Sequence, residues 1–146
     1  KGVKENSRIL IMKKLPIGIQ TFSELVDPAE DYVYVDKTRE LYTLITSGKY
    51  FFLSRPRRSG KSVMLSTLYE LFSGNRELFR GLYIEDKWDW ERKFPVIRIS
   101  FGSGEFRTEK KFDTVIYHNL KRNQQRLAIS CDDPLDDPGF CFSELI

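Results

Sequence analysis

Residues 50–62 read Tyr50-Phe-Phe-Leu-Ser-Arg-Pro-Arg-Arg-Ser-Gly-Lys-Ser62. Tyr50–Leu53 is an unbroken apolar and aromatic run, the pattern of a strand buried on both faces. Ser54–Ser59 is a basic turn, and Gly60-Lys61-Ser62 is how a phosphate-binding loop ends. Such a loop works by geometry: a strand delivers the chain to a tight turn, and a helix starts at once, with its free N–H groups turned to an anion. After Ser62 the apolar positions Val63, Leu65, Leu68, Tyr69, Leu71 and Phe72 predict a helix from about Lys61, closed by Gly74. A Gly-Lys-Ser/Thr tripeptide alone turns up by chance in roughly 5–10% of chains this long. An apolar run directly before it and a helix directly after make that chance about ten times smaller. Arg55 stands where such a loop has its first glycine. That restricts the backbone but leaves the lysine, the hydroxyl and the helix end in place, and Pro56 stiffens the bend.

Elements on either side follow the same alternation. Tyr32–Val35 is β-rich. Leu41, Leu44 and Ile45 recur at helical spacing behind Asp36 or Thr38 as a cap, with Gly48 as a stop. A short helix is expected at Arg76–Phe79, a strand at Pro95–Phe101, and a long amphipathic helix within 108–129, carried by Phe112, Val115, Ile116, Leu120 and Leu127. Strands alternating with helices predict an α/β fold with a parallel sheet flanked by helices, left incomplete. The loop at 132–139 and the helix start at Phe140–Ile146 complete the pattern.

With 146 residues, 40% hydrophobic and 31% charged, the chain has ordinary globular composition and a net charge of +3. The distribution is more telling than the total. Arg55, Arg57, Arg58 and Lys61 form a basic loop with no acid among them. Two cysteines, Cys131 and Cys141, and one histidine, His118, are too few for a His/Cys metal site or a disulfide framework. No apolar run reaches the ~18 residues that span a bilayer, so no membrane association and a cytoplasmic setting are the default expectation. Met12 reads as a natural start, which makes residues 1–11 an upstream or disordered extension and 12–146 the domain.

Several features carry two readings. Asp36 either caps the following helix or contacts a ligand or partner. Trp88, Trp90 and Phe94 either pack in the core or stack on bases. The helix at 107–126 has six Lys or Arg against two acids, so a basic solvated face and a nucleic-acid or protein-binding surface both remain open. A non-catalytic binding module that uses this helix and the basic loop is therefore the alternative to a nucleotide site.

Leu15-Pro-Ile-Gly-Ile-Gln-Thr-Phe22, Tyr34-Val-Asp-Lys-Thr38, Leu53–Ser62 with Met64-Leu-Ser-Thr67, Glu77-Leu-Phe-Arg-Gly-Leu-Tyr-Ile84 and Phe94-Pro-Val-Ile97 together resemble the N-terminal portion of the AAA-ATPase-like proteins, a bacterial P-loop family. In that family an Arg-Pro-Arg-Arg opening is the usual form of the loop. The resemblance implies a P-loop NTPase-like sheet, ATP and Mg2+ as cofactors, and ATP hydrolysis in a full-length protein, often with a nuclease-like domain behind it. The chemistry of the loop assigns the nucleotide to Arg57, Arg58, Ser59, Gly60, Lys61, Ser62 and Val63, with Ser62 on Mg2+. Arg57 and Arg58 carry two readings, as contacts to phosphates or nucleic acid, or as side chains of the loop that are solvated or pair with acids elsewhere. The resemblance places the acidic Walker B strand beyond Ile146, so no catalytic acid is identified here and these residues alone are expected to be inactive in hydrolysis. A protein partner or self-association is a further expectation.

Overall fold

The computed structural model describes residues 13–102 and 108–129. In these residues the chain forms α1 (Phe22–Leu25), α2 (Thr38–Ser47), α3 (Lys61–Phe72), a 3-10 helix at Arg76–Phe79 and α4 (Glu109–Leu127). It divides after Phe94 into two compact units. Cys131, Cys141, the acidic loop at 132–139 and the expected helix at Phe140–Ile146 lie outside the described residues, as does the extension 1–11.

The expected parallel sheet is not formed. Among the described residues there is no strand, and the one β contact is an isolated parallel bridge between Lys14 and Tyr32. A strand exists only when a neighbour accepts and supplies its ladder hydrogen bonds. Tyr50–Leu53 makes none with another segment, and Tyr50 and Phe52 are each 94% exposed. The apolar run was the right composition for a strand but, without a pairing partner, composition does not make one.

In the first unit the core is built from Phe22, Leu41, Leu71, Phe79 and Ile84. Phe22, Leu71, Phe79 and Ile84 are fully buried, and each such side chain contributes about 1.5–3 kcal/mol of burial. Phe22 meets Phe79 at 4.8 Å between ring centroids and Tyr34 at 5.7 Å. α1 is held on α3 by a polar contact as well: the Phe22 amide donates to Ser66 Oγ at 3.0 Å, inside the protein. Trp88 and Trp90 pack against this core. Trp90 Nε1 donates to the Glu85 carbonyl at 2.7 Å, and Trp88 stacks edge-on against Phe72 at 5.4 Å. The core reading of these two indoles is therefore the one the fold uses. α3 runs from Gly60 to a stop at Ser73 and Gly74, where a positive φ of 78° turns the chain away.

In the second unit Leu120 is buried among Ile97, Ile116 and Leu127. The same face of α4 also buries Asn119, Asn123 and Gln124, which the apolar periodicity did not anticipate. Asn123 Oδ1 accepts from the Arg98 amide at 2.9 Å, and its Nδ2 donates to the Arg98 carbonyl at 2.7 Å. Asn119 does the same for Ser100, at 3.0 Å in both directions. Arg126 adds a contact to the Val96 carbonyl. Four helical residues rise about 6.0 Å, close to the roughly 6.6 Å that two residues of extended chain span. Side chains at i and i+4 can therefore serve alternate backbone residues, and two asparagines stand in for the neighbouring strand that the segment 96–100 lacks. Asn123→Leu removes the two side-chain hydrogen bonds that the Arg98 backbone makes with Asn123 and should lower stability by about 1–3 kcal/mol, read as a lower urea midpoint of the helical circular dichroism signal.

Candidate functional site

The loop enters from Leu53 and ends where α3 starts. Arg58 has φ of +63° and Gly60 +81°, so the chain passes twice through the left-handed region within three residues. A Cβ on Gly60 would meet nothing within 4 Å. Glycine is favoured there by the backbone conformation and not by lack of room. Gly60 gives α3 no side-chain cap, and the first amide to find a helical acceptor is that of Met64, bonded to the Gly60 carbonyl at 2.9 Å. The amides of Lys61, Ser62 and Val63 keep no acceptor among the described residues, and with the helix dipole they make this end attractive to an anion.

Lys61 Nζ turns back over the loop and donates to the carbonyls of Arg55 and Pro56, 2.6 Å to each. Ser59 Oγ donates to the same Pro56 carbonyl at 2.8 Å. The lysine thus ties the two ends of its own loop together. Proline at position 56 has no amide to offer, and its carbonyl becomes the loop's internal acceptor.

Beside the loop lies a cleft of about 610 Å3. Ser59, Gly60, Lys61 and Val63 line it together with Arg55, while Arg57, Arg58 and Ser62 do not. Ser62 is exposed in the first turn of α3. The rest of the lining includes residues with no cleft role in the sequence reading: Val33, Tyr34, Val35 and Lys37 ahead of α2, then Leu41 and Leu44 on it. The only signal for them was the Tyr34–Thr38 motif. The lining is mostly apolar, with a cationic end at the loop.

The entry to α2 is fixed by a hydrogen-bonded clasp. Asp36 Oδ1 accepts from the Thr38 amide at 2.8 Å and the Thr38 hydroxyl at 2.7 Å. Asp36 Oδ2 accepts from the Tyr83 amide at 2.8 Å, and Thr38 Oγ1, fully buried, accepts from the Ile84 amide at 3.2 Å. Asp36 therefore serves the first turn of α2 and also anchors a segment 47 residues on. Partial burial pushes its carboxyl up. The hydrogen bonds from Tyr83 and Thr38, with the Arg39 charge nearby, outweigh that and leave it below the usual carboxylate value. The Tyr34 hydroxyl is pushed up to about 12, by burial first and by the charge of Asp36 second.

On α4, Lys110, Lys111, Lys121 and Arg122 are exposed, and Lys121 sits over the Tyr117 ring at 5.4 Å. Arg126 is engaged with Val96 and Asn123 inside its own unit. Among the described residues no helix is long and apolar enough to cross a membrane.

The chain belongs to the family described as "Predicted AAA-ATPase", whose model matches residues 16–146. Among curated proteins it is similar to one from Azotobacter chroococcum mcd 1, named "Uncharacterized protein in vnfD 5'region", with 54% identity over 119 residues. The match covers 82% of this chain and 23% of that protein, so the chain spans less than a quarter of its relative's length. No solved structure matches.

Two predictions follow from the geometry. Arg58→Gly relieves the left-handed strain and should raise the unfolding free energy by about 0.5–1 kcal/mol in denaturant titration. For Asp36, a carboxyl held below its unfolded pKa contributes stability that is complete above that unfolded value and disappears as pH falls through the folded one. The stability gap between the natural chain and Asp36→Asn should hold steady down to about pH 5 and shrink below about pH 4. A gap unchanged at about pH 2 would contradict the clasp.

Proposed function

We propose that the first unit binds ATP with Mg2+ in the cleft beside the loop. The observation that carries this is the convergence of Lys61, the uncapped start of α3 and a mostly apolar lining on one cleft of about 610 Å3. The residues fit the group. The free amides at Lys61–Val63 and the left-handed turn at Gly60 suit a phosphate chain. The Lys61 ammonium exchanges its two carbonyl partners for phosphate oxygens. Ser62 does not line the cleft itself but is exposed in the same first turn of α3 beside Lys61. There it would be the oxygen ligand offered to Mg2+, which neutralises phosphate charge when bound. Val33, Tyr34, Leu41 and Leu44 exclude water from the base. Membership of a family described as a predicted AAA-ATPase supports nucleotide use. Hydrolysis is the activity we propose for a longer protein that contains this domain.

Lys61→Ala should weaken Mg-ATP binding roughly 10- to 100-fold, the loss of a charge-assisted contact, with the helical circular dichroism spectrum unchanged. Isothermal titration calorimetry decides it. Equal affinity in both proteins overturns the assignment. A polyanion-binding module would show instead steep loss of affinity with salt and indifference to Mg2+.

A further inference from the structure

We propose that Lys37 is a second phosphate-binding cation of this cleft, presented by the Asp36–Thr38 clasp; this rests on the nucleotide reading above. Three cations line the cleft, Lys37, Arg55 and Lys61, against one carboxylate, Glu40. That imbalance suits a ligand with more than one negative charge. Lys61 is tied to the carbonyls of its own loop. Lys37 lines the same cleft from the entry to α2, and among the described residues its ammonium makes no hydrogen bond or ion pair, even with Glu40 one turn along α2.

What makes Lys37 more than a solvated lysine is its backbone. The residue before it is held at three points, by the Thr38 amide, the Thr38 hydroxyl and the Tyr83 amide. The residue after it is fully buried and bonded to the Ile84 amide. A cation on a fixed backbone gives up only side-chain freedom when it meets an anion, and this preorganisation strengthens binding. Lys37 and Lys61 approach a bound chain of phosphates from different segments of the sequence, α2's entry and α3's first turn. A lysine serves this purpose as a point charge, with no need for a forked donor. Asp36 is then a positioning residue that acts through Lys37.

The test titrates the full 146-residue chain with Mg-ATP, Mg-ADP and adenosine. Lys37→Gln should weaken Mg-ATP roughly tenfold, weaken Mg-ADP by no more than that, and leave adenosine unchanged, while Lys37→Arg restores most of the ATP affinity. Asp36→Asn should show a smaller loss of the same kind. If Lys37→Gln binds Mg-ATP as the natural chain does while Lys61→Ala does not, the role of Lys37 is wrong and the nucleotide site stands. An equal loss for adenosine and ATP overturns the proposal too, because the residue would then shape the cleft without touching phosphate. If the natural chain binds no nucleotide, both readings fall.

Discussion

Two adjacent backbone amides, those of Tyr83 and Ile84, are bonded by Asp36 and Thr38 where the chain folds back on the core. The Ile84 amide is buried, and an amide buried without a partner costs about 1–3 kcal/mol. The arrangement that brings Thr38 Oγ1 to it is therefore strongly preferred, with Asp36 holding the more exposed Tyr83 amide beside it. Everything in the first unit is consistent with that closure. It holds the entry to α2 against the turn after the 3-10 helix, with Leu41, Phe79 and Ile84 packed in one cluster. It also fixes the wall of the cleft, because Tyr34, Val35 and Lys37 lie within two residues of Asp36.

The same accounting rule explains the second unit. Chain that is not paired in a sheet still carries one donor and one acceptor per residue. At Arg98 and Ser100 these are met by side-chain amides from α4, whose i, i+4 spacing matches alternate residues of the extended segment. Asparagine suits the position because one short, rigid group both donates and accepts. Among the described residues Tyr50–Leu53 has no such helper, and it stays exposed.

The loop is a third instance. Lys61 satisfies carbonyls of its own turn, while the three amides at the start of α3 find no acceptor among the described residues. The site is thus organised internally through its cation and left open through its donors, a division that suits an anionic ligand. Charge follows the same division, with Arg55, Lys37 and Lys61 around one cleft and a single carboxylate among them.

Local pattern was enough for a large part of this. The Gly-Lys-Ser ending located the start of α3, the periodicity of Leu41, Leu44 and Ile45 located α2, and Arg76–Phe79 folds where the sequence placed a short helix. Such elements close their hydrogen bonds within a few residues, so neighbours in sequence suffice to determine them. The family was also readable, because its motifs are short and contiguous. The sheet was not, since a strand depends on a partner that composition does not specify, and among the described residues Tyr50–Leu53 and Pro95–Phe101 found no strand to pair with. Nor was the second task of Asp36: capping is local, but the Tyr83 amide is 47 residues distant. The cleft belongs to the same class, since the α2 entry and the loop before α3 that line it are about twenty residues apart in the chain and are joined only by folding. What this sequence determined by itself was helices, a loop and their chemistry. Which backbone groups had to be satisfied by distant side chains was decided only by the tertiary structure, because that demand arises only when packing takes water away.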